Sequence, residues 1–157
     1  MKMPEATLLT LTDDGAPVEV SLHEKLAGRK VVIFALPGAH TGTCSTAHFP
    51  SFTRTASAIR DKGVDEVICL AVNDPFVLSA WGHALGSADA GITMLADPET
   101  KLTGELGMAF SAPQVGLIAR SHRYAIIVDD GAITHVGADD SPGTCDLSAG
   151  ERILEAL

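Results

Sequence analysis

Short apolar runs alternate with polar and turn-forming residues along most of the chain. Residues 31–36 and 67–72 are continuously apolar and rich in β-branched side chains, a pattern typical of strands covered on both faces in a parallel sheet. Asp74 and Pro75 follow the second run and predict a helix start, because Asp caps free backbone N–H groups and Pro fits the first helical turn. The pattern therefore predicts a strand that leads directly into a helix.

An apolar face at helical spacing follows this start and ends at Gly86. Its members are Val77, Leu78, Trp81 and Leu85. The same succession of strand, Pro, apolar face and Gly recurs between Met94 and Gly107. Strands that alternate with helices in this way predict an α/β fold.

The last third of the chain has a different pattern. Residues 124–128 and 132–136 are apolar and flank an Asp-Gly pair, a strong hairpin signal because Gly readily adopts positive φ. Ser148 and Glu151 have the spacing of a capping box at the start of a final helix. Together these elements predict a mixed central sheet flanked by helices, which is the layout of a thioredoxin-like domain.

Composition limits the number of domains and the class of partner. The 157 residues are 46% hydrophobic, so we expect one domain that spans residues 1–157. A net charge of −9 and an aromatic content of 4% disfavour nucleic-acid binding. No apolar run approaches the length of about 18 residues that spans a membrane, and the first residues do not resemble a targeting signal. We therefore expect a cytoplasmic protein that does not bind membranes.

Three cysteines permit at most one internal disulfide, which fits a reducing compartment and thiol chemistry. Cys44 follows a Gly- and Pro-containing turn (residues 37–43) at the carboxyl end of a predicted strand, where open α/β sheets place their chemistry. Free amides and the helix dipole favour a thiolate there, and small polar neighbours favour a reactive thiol over a core residue. Pro50 leaves two alternatives open: the helix begins near Pro50, or it begins near Thr43 and kinks.

A zinc site is a second possible role for this region. His40, Cys44 and His48 are spaced four residues apart and would share one face of a continuous helix. The turn residues around Gly42 place His40 before the helix, however, and no C-x-x-C or H-E-x-x-H motif is present. We therefore predict no metal site and a local hydrogen-bonding role for His48.

At these residues the chain resembles the peroxiredoxins. Pro37, Thr41 and Cys44 match the P-x-x-x-T-x-x-C motif of that family, and residues 64–81 resemble its type II, peroxiredoxin-5-like subfamily. Arg123, followed by an aromatic residue, matches a later segment of the subfamily. The resemblance implies a thioredoxin-like fold, reduction of hydrogen peroxide and organic hydroperoxides, and no metal or organic cofactor. It also favours the kinked helix.

The resemblance further implies a role for each motif residue. Cys44 would be the peroxidatic thiolate that attacks the peroxide and becomes a sulfenic acid, and Arg123 would hold thiolate and peroxide together. Thr41 would hydrogen-bond the reacting centre, the backbone amides of Thr43 and Cys44 would bind a peroxide oxygen, and Pro37 would shield the thiolate. Arg120 is a rival for the arginine role but lacks the aromatic follower.

Cys145 and Cys69 are the candidates for a resolving thiol, and the subfamily has members with a cysteine at each place. Cys145 follows a Pro- and Gly-containing stretch that predicts an exposed, movable loop, whereas Cys69 lies in an apolar strand. We expect Cys145 to resolve, with Cys69 as the second choice, and thioredoxin or glutaredoxin with glutathione to regenerate the enzyme. The resemblance also implies a homodimer.

Two departures from the subfamily pattern bear on substrate preference and loop rigidity. His40 stands where an aromatic residue is usual, and Gly42 stands where Pro is usual. Neither change removes a reacting group. An alternative function for the same cysteine is a redox-sensing interaction module, in which oxidation alters the binding of a partner.

Overall fold

A seven-stranded mixed sheet forms the centre of the molecule, which the computed structural model describes from residue 1 to residue 157. The strands are β1 (Thr7–Leu11), β2 (Pro17–Ser21), β3 (Lys30–Leu36), β4 (Glu66–Ala71), β5 (Ile92–Ala96), β6 (Ala109–Ala112), β7 (Leu117–Ser121), β8 (Tyr124–Asp129) and β9 (Ala132–Ala138). The helices are α1 (Leu22–Leu26), α2 (Phe49–Asp61), α3 (Pro75–Ala84), α4 (Ser87–Ala90), α5 (Lys101–Glu105) and α6 (Gly150–Ala156). A π-helical turn (Cys44–His48) precedes α2, and a 3-10 turn (Pro113–Val115) joins β6 to β7.

The strand order of the main sheet is β2-β1-β5-β4-β3-β8-β9, and β6 and β7 form a separate two-stranded antiparallel sheet. Strands β3, β4 and β5 are parallel, whereas β8 pairs antiparallel with both β3 and β9. Asp130 and Gly131, between β8 and β9, have φ values of 46° and 77°, as a two-residue type I′ hairpin requires. The predicted mixed sheet, its helical flanks and the predicted hairpin are confirmed.

Both faces of the sheet are covered, as the continuous apolar runs predicted. One face packs on α2, α3 and α6, and the other packs on α1 and α5. Alternate residues of β3 contribute to the two cores: Val32, Phe34 and Leu36 to the first, and Val31, Ile33 and Ala35 to the second. Cys44 and Cys69 both lie in the first core. None of the helices is long and apolar enough to cross a membrane.

The predicted start of α3 is confirmed, because Asp74 Oδ1 accepts a hydrogen bond of 2.8 Å from the backbone N–H of Val77. The predicted capping box before α6 is wrong. The Ser148 hydroxyl donates to the carboxylate of Asp139, and α6 begins at Gly150 without a side-chain cap. The hydroxyl bond to the carboxylate is charge-assisted and therefore strong, and it holds Ser148 away from the first turn of α6.

Candidate active site

Cys44 lies in the first turn of a helix that continues into α2. The backbone N–H of Ser45 already donates to the carbonyl of Thr41, and the N–H of Phe49 donates to the carbonyl of Cys44 across a π-helical step. Pro50 has no N–H, and the wider π-helical turn accommodates it without ending the helix. Of the two alternatives at Pro50, the structure has the helix that begins before Cys44.

Arg123 places a guanidinium group directly against the Cys44 sulfur. Its Nη2 lies 3.3 Å from Cys44 Sγ, and each residue is only 1% exposed. The two meet because Tyr124, the next residue, pairs with Ala35 near the carboxyl end of β3. The chain leaves β3 at that end and turns towards Cys44. The pairing of β3 with β8 therefore brings together two residues that are 79 positions apart.

The hydrogen-bond partners of Arg123 are otherwise uncharged. Nη1 lies 3.0 Å from His48 Nδ1, Nη2 also donates to the carbonyl of Pro142 at 2.8 Å, and Nε has no partner. A buried cation is costly unless an anion balances it. The Cys44 sulfur is the one group in contact with the guanidinium that is able to carry a negative charge.

His48 orients this arginine from the same helix that carries Cys44. Its Nε2 lies 3.0 Å from the carbonyl oxygen of Ser148. Because a carbonyl oxygen only accepts hydrogen bonds, Nε2 carries the proton, and the unprotonated Nδ1 accepts from Arg123. Burial, together with the positive charge of Arg123, lowers the pKa of His48 to about 3. The imidazole is therefore neutral at physiological pH. The hydrogen-bonding role predicted for His48 is present, but the sequence did not indicate that the partner is the arginine.

The active-site turn (residues 37–43) is fixed by side chains from inside and outside the turn. The Thr41 hydroxyl donates to the carbonyl of Gly38 at 2.7 Å, and Asn73 Oδ1 accepts from the N–H of Ala39 at 3.0 Å. No hydrogen bond joins Thr41 to Cys44. Because its proton is directed to Gly38, the Thr41 oxygen keeps its lone pairs for another donor.

Arg120 holds the start of the same turn. Its Nη1 donates to the carbonyl of Pro37 at 3.2 Å. A Cβ atom at Gly38 would lie 2.3 Å from that nitrogen, so a side chain at this position would displace the guanidinium. Of the two arginines considered from the sequence, Arg123 contacts the sulfur and Arg120 contacts the turn.

The other two cysteines lie in different environments. Cys69 is fully buried in β4, where burial raises the pKa of its thiol. Cys145 is half-buried in the segment after β9. Burial raises the pKa of its thiol, although the positive charge of Arg123 acts to lower it. Residues 141–144 before it are exposed, as predicted. All three cysteines are free thiols.

His40 is exposed and precedes the helix, with a positive φ of 61°. It therefore does not share a helical face with Cys44 and His48, as the turn residues around Gly42 predicted. His40, which replaces the aromatic residue usual in the subfamily, is therefore the direct neighbour of Thr41 in the active-site turn.

Comparison with known proteins places the chain in a family. The Redoxin family pattern matches residues 1–154. Over 99% of its length the chain is 37% identical to Peroxiredoxin-2B of Arabidopsis thaliana, of which it covers 94%. This chain is a peroxiredoxin.

Other relatives agree with this assignment. The peroxiredoxin is 42% identical to Peroxiredoxin-2E-2, chloroplastic, of Oryza sativa subsp. japonica, over 99% of this chain and 70% of that protein. Its fold matches that of reduced Prx3 in complex with hydrogen peroxide from Vibrio vulnificus with a TM-score of 0.91 at 40% identity, covering 99% of this chain and 96% of the other. The predicted type II family, the thioredoxin-like fold and cysteine-based thiol peroxidase activity are confirmed.

Proposed function

We propose that Cys44 is the peroxidatic residue of this peroxiredoxin and that it reduces hydrogen peroxide and organic hydroperoxides. The observation that carries this proposal is the 3.3 Å contact between Arg123 Nη2 and Cys44 Sγ in a buried site. The thiolate attacks the terminal peroxide oxygen, the O–O bond breaks, and the leaving oxygen takes a proton to become an alcohol or water. Cys44 becomes a sulfenic acid, oxidised by two electrons.

Ionisation alone supplies a limited part of the rate. An ordinary cysteine is a few per cent ionised at pH 7, so full ionisation raises the rate by at most about 30-fold. The rest has to come from positioning the peroxide and stabilising charge on the leaving oxygen. Arg123 contributes to both, because its guanidinium faces the sulfur that the peroxide must approach.

The active-site turn offers the remaining contacts to the peroxide. The first N–H group that bonds within the helix is that of Ser45, so the N–H groups of Thr43 and Cys44 precede the intrahelical ladder and are available to a peroxide oxygen. The Thr41 oxygen, whose own proton is bonded to Gly38, accepts a hydrogen bond from the peroxide O–H. Pro37 covers the approach to the thiolate.

Regeneration follows from attack by a second thiol. The Cys145 sulfur attacks the Cys44 sulfur, the S–S bond forms, and the S–O bond breaks with loss of water. The exposed segment that carries Cys145 supports it over the fully buried Cys69. Thioredoxin, or glutaredoxin with glutathione, then reduces the disulfide.

Peroxide consumption with each reductant supplied separately tests these roles. We expect C44S to lose turnover and C69S, a matched change at a buried thiol, to retain it. Undiminished turnover by C44S would refute the role of Cys44. Peptide mapping of the oxidised protein should find a Cys44–Cys145 bond, and a Cys44–Cys69 bond would overturn the choice of resolver. A protein that consumes about one peroxide per thiol despite added reductant would instead be a sensor.

The homodimer is also part of the proposal. Phe76 and Ile118 are exposed apolar residues that lie close in sequence to Asn73 and Arg120, the two residues bonded to the active-site turn. A second copy of the chain would cover both at the same end of the molecule. Sedimentation velocity should detect a dimer that F76E dissociates, with V136E, a change at an exposed apolar position on β9, as the control. A monomeric wild type would contradict this.

A cytoplasmic location completes the proposal. Its support is the set of three free thiols, which suits a reducing compartment. Imaging of a fluorescent fusion at the carboxyl terminus tests it, and accumulation in an organelle or outside the cell would overturn it.

A further inference from the structure

The carboxylate of Asp139 organises the segment that carries Cys145. Its Oδ1 accepts from the backbone N–H groups of Asp146 and Leu147 at 3.0 and 2.9 Å, and its Oδ2 accepts from the N–H of Ser148 at 3.3 Å and from the Ser148 hydroxyl. Asp139 is only 8% exposed, although most of the residues that follow it are exposed. One side chain at the end of β9 therefore holds the three residues directly after Cys145.

Three active-site residues hold the same segment by its backbone carbonyls. Arg123 Nη2 donates to Pro142 at 2.8 Å, the Thr43 hydroxyl donates to Gly143 at 3.3 Å, and His48 Nε2 bonds the carbonyl oxygen of Ser148 at 3.0 Å. The segment 139–148, which we name the Cys145 segment, is thus fastened both by Asp139 and by the residues around the Cys44 sulfur.

We propose that Asp139 is a positioning residue that keeps the Cys145 segment closed while Cys44 is reduced, and that its release limits how fast Cys145 attacks the sulfenic acid. This inference rests on the proposed role of Cys145 as the resolving thiol. A disulfide needs Cα atoms about 4.4–6.8 Å apart and Cβ atoms directed at each other. Cys44 is only 1% exposed, and the Arg123 nitrogen that contacts its sulfur also holds Pro142, so Cys145 reaches the sulfur only if the segment moves.

Oxidation of Cys44 changes the charge beside Arg123 and leaves the contacts of Asp139 in place. When the Cys44 thiolate becomes a neutral sulfenic acid, the charge attraction between Arg123 and the sulfur is lost, and the shared nitrogen is freed from one of its two partners. The four hydrogen bonds to Asp139 do not involve the sulfur and are unchanged by this step. Of the seven hydrogen bonds described above that fasten the segment, Asp139 accepts four, so its release is the largest part of the barrier to movement of the Cys145 segment.

Pre-steady-state kinetics separate this step from peroxide reduction. Trp81 is the sole tryptophan, and its Nε1 donates to Ser45 Oγ beside Cys44 at 2.9 Å, so its fluorescence reports the peroxide-dependent phase after rapid mixing. Acid quenching, alkylation and mass spectrometry then report formation of the Cys44–Cys145 disulfide, which does not depend on peroxide concentration.

The variant D139N keeps one side-chain oxygen as an acceptor, but it loses the negative charge and the second acceptor oxygen. We expect it to leave the peroxide-dependent rate within about twofold and to speed disulfide formation about fivefold, the factor for one net hydrogen bond lost. D140N is the matched control, because Asp140 is an exposed neighbour whose side chain makes no hydrogen bond, and it should change neither rate. S148A, which removes one of the four bonds, should act in the same direction with a smaller effect and serves if D139N does not fold.

The outcomes distinguish the failure of this inference from failure of the proposed resolver. Unchanged or slower disulfide formation in D139N and S148A, with normal formation in the wild type, overturns the role of Asp139 alone. Absence of a Cys44–Cys145 disulfide in the wild type overturns the resolver role and this inference with it. Equal changes in both phases would show that Asp139 supports the site only as a whole.

Discussion

Replacing Arg123 by Gln removes the cation that is hydrogen-bonded to the Cys44 sulfur, while the amide retains some capacity to bond His48 and Pro142. The lost contact is a charge-assisted hydrogen bond at 3.3 Å in a buried site. Such a bond contributes about 1.5–3 kcal/mol, and each 1.4 kcal/mol corresponds to about tenfold in rate. We therefore expect the second-order rate constant for hydrogen peroxide to fall about 10- to 100-fold in R123Q.

The pH dependence of that loss separates ionisation from positioning. Between pH 7 and 9.5 an unassisted thiol becomes largely ionised, so R123Q should regain at most the factor of about 30 that ionisation accounts for. The part due to holding the peroxide should persist. Stopped-flow fluorescence of the reduced protein measures the rate at each pH, and R54Q, a change at an exposed arginine paired with Glu151, is the control. A loss of less than about threefold at pH 7 would contradict a charge-assisted hydrogen bond between Arg123 and the Cys44 sulfur.

Three further changes test the surroundings of the sulfur. The pKa of His48 is lowered to about 3 in the folded protein, so between about pH 6.5 and 3 the imidazole is protonated in the unfolded chain but not in the folded one. The free energy of unfolding should therefore fall as the pH falls through that window, by at most about 1.4 kcal/mol per pH unit. Urea denaturation from pH 7 to 4 should show a shallower decline in His48→Gln, and equal slopes would contradict this. Thr41→Val should lower the peroxide rate about tenfold, since it deletes the hydrogen bond proposed between the peroxide and the Thr41 oxygen, whereas Thr41→Ser should keep the wild-type rate. A matching loss in the Ser variant would point to packing instead. Arg120→Ala frees the Pro37 carbonyl and should lower the peroxide rate about threefold to tenfold without affecting disulfide formation, and an unchanged rate would show that Asn73 and Thr41 suffice to hold the turn.

The strands at the centre of the sheet were predictable because their signals are local. Residues 31–36 form most of β3 and 67–72 most of β4, and the Asp-Gly pair forms the turn between β8 and β9. The hairpin of β1 with β2 was not predicted, because β2 is an exposed edge strand with little apolar pattern to mark it. The small sheet of β6 and β7 was missed in the same way, since both strands are short and partly exposed.

Contacts between distant residues could not be read from spacing. Ser148 and Glu151 fit a capping box, yet Asp139, nine residues before Ser148, takes the hydroxyl proton. The contact between Arg123 and His48 spans 75 positions and depends on strand pairing. Arg123 was identified only through resemblance to the peroxiredoxins, and the helical spacing of Cys44 and His48 was the one local sign that His48 belongs to the site.

Trapping of the oxidised cysteine tests most directly whether Cys44 is the residue that attacks peroxide. The double variant C69S/C145S keeps Cys44 as its single thiol, so no resolving cysteine competes for the sulfenic acid. The reduced variant is treated with one equivalent of hydrogen peroxide in the presence of dimedone and digested for mass spectrometry. We predict a dimedone adduct on the peptide that contains Cys44. Consumption of the peroxide without that adduct, or no reaction at all in a folded variant, would contradict the account.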